Sequence, residues 1–240
     1  MTIKVSVIGA TGRMGKLALE IIDASQDLEL HCALDSKSEL NQALGADVIF
    51  EATKLEVSKE VVAFAIAHKL NILVATSGWS EGDRSSLGVG SDSAVVFVPN
   101  FSVGSVLATK FSAMAAKHFD SIEIVETHHA GKVDSPSGTA IRTAELIADS
   151  RNEAGLVQPL IPGVGQEARG QVVAGVPIHS LRIDGVSAKQ EVTLGGVSEI
   201  LNISHEVSSI QAYASGILHS IRFAAVNPGL TVGLDKVLGI

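Results

Sequence analysis

Between Glu126 and Ala140 the chain reads Glu-Thr-His-His-Ala-Gly-Lys-Val-Asp-Ser-Pro-Ser-Gly-Thr-Ala. Two adjacent histidines, His128 and His129, can move protons near neutral pH. Lys132 offers a compact positive charge suited to a carboxylate, and a proton that can be donated. Ser135, Pro136 and Ser137 have helix-start chemistry, with serine hydroxyls as caps and proline as a first-turn residue. Gly138 and Thr139 would then present backbone N–H groups to an anion. Together these groups suit a small, doubly anionic molecule that must be protonated during reaction. If the histidines end an extended strand they alternate in direction, so one can face the reacting atom while the other holds another part of the ligand. A metal pair is the competing reading, but no Cys or carboxylate partner stands at the usual spacing. The remaining histidines, His31, His68, His118, His179, His205 and His219, read as structural or surface residues.

A second chemical pattern opens the chain. Gly9-Ala10-Thr11-Gly12-Arg13-Met14-Gly15 joins an apolar β-rich run to a helical pattern. Glycines there allow a tight turn and close backbone approach to a pyrophosphate, and the helix start adds free N–H groups and a positive dipole end. The spacing departs from G-x-G-x-x-G at Ala10. Asp35 ends the next strand run, about 20 residues past the last glycine, where an acid contacts a ribose and disfavours a 2′-phosphate. Lys37 softens that preference. The competing reading is that Asp35 caps a turn, the glycines serve packing and Arg13 is solvated. Ala75-Thr76-Ser77-Gly78 and Val98-Pro99-Asn100-Phe101-Ser102 close two further strand runs, in the crevice where ligands bind such sheets.

The elements that must position these groups follow from periodicity. Ile3 to Gly9, Leu28 to Leu34, Asp47 to Ala52, Asn71 to Thr76 and Ala94 to Val98 read as near-continuous apolar strands. Met14 to Ala24, with Leu17, Ile21 and Ile22 as its buried stripe, and Val57 to His68 read as helices between them. This alternation predicts a Rossmann-type doubly wound parallel sheet. After Pro99 the rhythm changes. Helices are expected over Val103 to Phe119, Thr139 to Ala148 and Ser209 to Ala225, and strands over Ser121 to Thr127, Ile178 to Ile183, Gln190 to Leu194 and Ile200 to His205. Strands without intervening helices predict a C-terminal α+β domain with a mixed or antiparallel sheet. The glycine-rich Gly155 to Gly175, with Pro159 and Pro162, reads as a loop or arm.

With 240 residues, 46% hydrophobic and 18% charged, the chain has the composition of a globular protein. A net charge of -8 argues against a general nucleic-acid binder. The single cysteine, Cys32, excludes an internal disulfide and reads as a small core residue. No apolar run approaches the ~20 residues that span a bilayer, and no signal peptide precedes the first strand, so a cytoplasmic location is expected. Trp79 reads as core or as a wall of the site.

The glycine loop, together with Glu-x-His-His-x-x-Lys-x-Asp-x-Pro-Ser-Gly-Thr-Ala, resembles the 4-hydroxy-tetrahydrodipicolinate reductase (dihydrodipicolinate reductase) family of bacterial lysine biosynthesis. The likeness runs nearly end to end, and Ala188-Lys189-Gln190-Glu191-Val192 and Pro228-Gly229-Leu230-Thr231-Val232-Gly233-Leu234 take part in it. The resemblance implies a dinucleotide-binding domain over 1–102 and 216–240, a substrate-binding and oligomerisation domain over 103–215, and a homotetramer built through the second sheet. It implies NADH or NADPH as hydride donor, a small dicarboxylate as substrate, and loss of the hydroxyl as water. His128 matches the family's general acid/base and Lys132 its proton donor; His129, Gly138 and Thr139 match substrate contacts. Gly9, Ala10, Thr11, Gly12, Arg13, Met14, Asp35, Ala75, Thr76, Ser77, Val98, Pro99, Asn100 and Phe101 match cofactor contacts. Ser135 stands where the family has alanine and Ala75 where it has glycine. The His205 to Tyr213 segment lacks the family's usual arginine and phenylalanine. A semialdehyde dehydrogenase would need a catalytic cysteine in the second half, which Cys32 does not supply. A nucleotide sensor without turnover would predict a ruined proton-transfer site, yet His128 and Lys132 are present.

Overall fold

The computed structural model describes residues 2–157, 163 and 165–240. In chain order its elements are β1 (Ile3–Ile8), α1 (Arg13–Ala24), β2 (Leu28–Leu34), β3 (Val48–Glu51), α2 (Leu55–Ala67), β4 (Asn71–Val74), α3 (Glu81–Ser85), β5 (Ala94–Phe97), α4 (Val103–Ala115), β6 (Ser121–His128), α5 (Gly138–Glu153), β7 (Gln171–Val173), β8 (Val176–Arg182), β9 (Ala188–Gly196), β10 (Glu199–Val207), α6 (Ala214–Ala224), β11 (Gly229–Val232) and α7 (Leu234–Leu238). The chain divides into two compact units, Met1–Val103 with Ile210–Ile240, and Gly104–Ser209.

The first unit is a six-stranded, all-parallel sheet in the order β11-β5-β4-β3-β1-β2. Its central strands are β-branched and aromatic and are buried on both faces, as a sheet covered by helices on each side requires. Leu17, Ile21 and Ile22 of α1 form the expected buried stripe. Because every strand runs the same way, the loops after β1 to β5 all open at one carboxyl edge, and the sequence order reverses direction between β1 and β3. Ile217 and Ile221 of α6 are buried in this unit, and a Cβ at Gly216 would lie 2.0 Å from the Phe101 carbonyl oxygen. Trp79 lies in the core, edge-on to Phe97. Cys32 packs beside the same core and donates to the Ser6 hydroxyl.

The second unit carries a five-stranded mixed sheet, β10-β9-β6-β8-β7, in which β6 pairs parallel with β8 and every other pair is antiparallel. Ile122 and Ile124 of β6, Ile178 of β8 and Val192 and Leu194 of β9 form its core with Ala140, Ala144 and Ile147 of α5. The α5 helix runs past its expected end at Ala148 because Ser150 and Arg151 are tied down. The Arg151 guanidinium donates to the carbonyls of Ala116, Phe119 and Val157. The long helix expected over Val103 to Phe119 tightens into a 3-10 turn at Ala116–His118, and the final helix begins with one at Ile210–Tyr213. Within the expected loop Gly155 to Gly175, Gln171–Val173 forms a strand, while Pro159 and Pro162 lie outside the described residues. No helix among the described residues is long and apolar enough to cross a membrane.

Candidate active site

Strand alternation puts Glu126 and His128 on one face of β6, and the parallel register places Arg182 of β8 opposite His128. Glu126 is wholly buried. Its Oε2 accepts from His128 Nδ1 at 2.5 Å, and its two oxygens accept from the Arg182 guanidinium at 2.8 and 2.9 Å. The Ser137 N–H also donates to it at 3.2 Å. A buried carboxylate is tolerable when its lone pairs are filled in this way. Burial pushes the Glu126 carboxyl upward, but the hydrogen bonds from Arg182, Ser180 and His128 outweigh it and hold Glu126 below its ordinary value. Its acceptor role puts the ring proton of His128 on Nδ1 and leaves Nε2 as the nitrogen able to exchange a proton. Burial holds His128 below the usual imidazole value. The Glu126 hydrogen bond and charge pull it back up, while Lys132 and Arg182 push it down.

The loop after β6 carries the other groups. The Lys132 N–H closes a turn on the His129 carbonyl at 3.0 Å, and Lys132 Nζ sits 2.7 Å from both oxygens of Asp134. That bond holds the Asp134 carboxyl below its ordinary value. Arg182 also donates to the Asp134 carbonyl, so one guanidinium ties the loop to the buried carboxylate. Ser137 caps α5 by accepting from the Ala140 N–H, which makes Gly138 and Thr139 its first residues. A Cβ at Gly138 would meet nothing within 4 Å, so the helix start is open in front of it. His128, Lys132, His129, Gly138 and Thr139 thus share one strand end, one short loop and one helix start. His129 is exposed, in contrast to half-buried His128. Glu126 had no role in the sequence reading, although its position two residues before His128 in a strand places it on the same face. Arg182 had no local signal, since only the β6–β8 register brings it there.

The cofactor candidates all belong to the first unit and line its carboxyl edge. Gly9, at φ +87°, brings the chain so close to β3 that a Cβ would lie 2.3 Å from the Ala52 carbonyl oxygen. A Cβ at Gly15 would lie 2.2 Å from the Gly9 oxygen. Gly12 caps α1 with no side-chain hydrogen bond, and no acidic residue stands in the first turn. That leaves the first-turn N–H groups and the dipole end for an anion, an arrangement that fits a dinucleotide pyrophosphate. Thr11, Gly12 and Arg13 are exposed, while Ala10 is buried and Met14 half-buried. Asp35 Oδ1 accepts from the Lys37 N–H at 2.9 Å and the Ser38 hydroxyl at 3.0 Å, and these bonds hold the carboxyl below its ordinary value. Asp35 therefore caps a turn at the end of β2. Ala75 is anchored by its N–H to the Glu51 carbonyl, Thr76 donates to the Glu51 carboxylate, and Ser77 is exposed. Val98 and Phe101 are buried, and Phe101 packs at 6.2 Å from Phe50, so those two offer only backbone to a ligand. Pro99 and Asn100 lie nearer the surface.

Comparison with known proteins matches both halves of the chain. The family model described as dihydrodipicolinate reductase, N-terminus, covers residues 3–101, and that described as dihydrodipicolinate reductase, C-terminus, covers 104–238. The chain belongs to the dihydrodipicolinate reductase family. It is 51% identical over 247 residues to the 4-hydroxy-tetrahydrodipicolinate reductase of Clavibacter sepedonicus, spanning 99% of this chain and 87% of that one. It is 41% identical over 246 residues to the same-named reductase of Streptomyces griseus subsp. griseus, spanning 99% and 98%. Among solved structures, a dipicolinate-bound dihydrodipicolinate reductase from Paenisporosarcina sp. TG-14 superposes with a TM-score of 0.85 at 27% identity, covering 98% of this chain and 99% of that one.

Proposed function

We propose that this chain reduces 4-hydroxy-tetrahydrodipicolinate to tetrahydrodipicolinate in lysine and diaminopimelate biosynthesis, with NADH or NADPH as reductant. One hydride and one proton enter and one water leaves. The observation that carries this reading is the Glu126-held His128 beside Lys132 and the open helix start at Gly138. Bound NADH or NADPH supplies the hydride; the chain's own residues hold the substrate and manage protons. The N–H groups of Gly138 and Thr139, with His129, hold carboxylates. Lys132 exchanges its Asp134 partner for a substrate carboxylate and donates the proton, and His128 Nε2 acts as the general acid/base. The fixed positive charges stabilise negative charge developing on the ring. Gly9 to Met14 cradle the pyrophosphate, Asp35 contacts the adenosine ribose, and the Ala75–Ser77 and Val98–Phe101 turns border the nicotinamide.

A homotetramer built through the second sheet belongs to the same reading, as does a cytoplasmic location. The assembly is supported by the face of that sheet opposite its core, where Leu181 of β8 and Ile200 of β10 are exposed. Light scattering on the eluting protein tests the assembly. The activity is tested by mixing the protein with freshly made substrate and either NADH or NADPH, and following loss of reduced-cofactor absorbance. Turnover with at least one is expected; a folded sample inactive with both overturns the reading.

A further inference from the structure

A second buried carboxylate sits apart from the His-Lys centre. Glu51 ends β3 and is wholly buried, and among the described hydrogen bonds and ion pairs no cation pairs with its carboxylate. Its Oε1 accepts from the Thr53 N–H at 2.7 Å, the Thr53 hydroxyl at 2.5 Å and the Thr76 hydroxyl at 2.8 Å. Its Oε2 accepts from the Ser58 hydroxyl at 2.6 Å, and Trp79 Nε1 donates to Ser58 at 3.0 Å. The Thr53 N–H also donates to Thr76 Oγ1 at 2.9 Å, so the Thr76 proton is committed to Glu51. Burying a carboxylate among hydroxyls is costly, and a parallel sheet does not need it. Its backbone carbonyl takes the Ala75 N–H at 2.8 Å, and the residue after it, Ala52, touches Gly9 of the glycine loop. Glu51 and Ala52 thus tie together the ends of β1, β3 and β4 at the edge proposed to bind the cofactor.

We propose that Glu51 is a positioning residue for the nicotinamide cofactor, acting through the Thr76 hydroxyl to fix the Ala75–Ser77 turn before the cofactor arrives. Preorganisation of this kind is read in affinity, because a loop already ordered costs less to bind. The inference rests on the cofactor reading above, so the test measures NADH and NADPH binding directly, by fluorescence titration of the folded protein without substrate. Thr76→Val removes the hydroxyl at constant shape, and Thr76→Ser keeps it. Glu51→Gln keeps an acceptor but removes the charge and turns an NH₂ group toward a donor-lined pocket.

Thr76→Val is expected to weaken binding about tenfold and Glu51→Gln at least about fivefold, while Thr76→Ser stays within about twofold of the wild type. The Glu51→Gln/Thr76→Val double variant is expected to be no weaker than the worse single one, because both break the same link. Steady-state kinetics on the folded variants are expected to show the cofactor KM rising more than kcat falls. Equal affinities for Thr76→Val and Thr76→Ser overturn the proposal, as do effects that multiply in the double variant. So does a Glu51→Gln variant that binds within about twofold of the wild type. If Glu51→Gln does not fold, Glu51→Asp, which draws the carboxylate back from the Thr76 hydroxyl, takes its place in the same titrations, and binding within about twofold of the wild type then overturns the proposal. A wild-type protein that binds neither cofactor sinks the cofactor reading itself, a distinct result.

Discussion

The glycine loop of the first unit and the His-Lys centre of the second are built from different materials. At Gly9 and Gly15 backbone lies against backbone where a side chain would stand, and the first turn of α1 offers N–H groups with no side chain to cap them. At His128 the working parts are side chains, held by Glu126 and Arg182 through hydrogen bonds that carry charge. A region made of backbone recognises shape and is damaged by added volume. A region made of charged side chains does chemistry and is damaged by lost partners or altered protonation.

Adding volume to the first region should produce the largest effect. Gly15→Ala, with its Cβ 2.2 Å from the Gly9 oxygen, is expected to cost about 3 kcal/mol or more and to abolish cofactor binding. Gly12→Ala, whose Cβ would meet its nearest atom at 3.3 Å, should be far milder. Thermal unfolding and NADH titration separate the two. Next come the proposed proton-transfer groups: His128→Gln and Lys132→Ala should each reduce kcat by on the order of 10²-fold or more, with little change in unfolding temperature. Equal losses of stability and activity would argue that these side chains are structural.

Removing the supports of His128 should have an intermediate effect and a signature in pH. Arg182→Met leaves Glu126 buried without its cation and is expected to destabilise by about 3 kcal/mol. Glu126→Gln removes the main group that raises the His128 pKa, so the inflection assigned to His128 in the kcat profile should move to lower pH. In the wild type, burial favours the neutral ring, so the unfolded chain binds the proton first as pH falls below the ordinary value of 6.5. The contribution of His128 to stability is therefore whole above that value and is lost as pH drops through the lower folded one. The smallest effect is expected at Asp35. With Oδ1 committed to the turn, Asp35→Ser should shift the ratio of NADH to NADPH affinity by about three- to tenfold in favour of NADPH, measured by paired titrations.

The two regions also differ in how far they were legible before the fold. The alternation of apolar runs and helical stripes located the parallel sheet, because its central strands β3 to β5 are buried on both faces and so are nearly continuously apolar. Leu28 to Leu34 also coincides with β2, although that edge strand is exposed along its middle. The glycine loop was readable because its chemistry is contiguous in the chain. His128, His129, Lys132 and the Ser137 cap were readable for the same reason. Arg182 was not, because it reaches Glu126 only through the pairing of β6 with β8. Glu51 was hidden differently, as a polar residue closing an apolar strand, whose partners Thr53, Ser58 and Thr76 come from three local segments. Short elements such as α3, β7 and β11 span too few residues to show a period. Strands β9 and β10 run beyond their apolar centres, since a long antiparallel ladder is held by backbone bonds and tolerates Lys189, Glu199 and Glu206 near its ends.

The division of labour between the units is the central claim. Its most direct test compares, for the wild type, His128→Gln and Lys132→Ala, the dissociation constant of the reduced cofactor with the rate of cofactor oxidation by 4-hydroxy-tetrahydrodipicolinate. The expected result is turnover by the wild type and losses on the order of 10²-fold in both variants, with cofactor affinity unchanged within about twofold. Variants that lose cofactor affinity as steeply as they lose turnover would contradict the account.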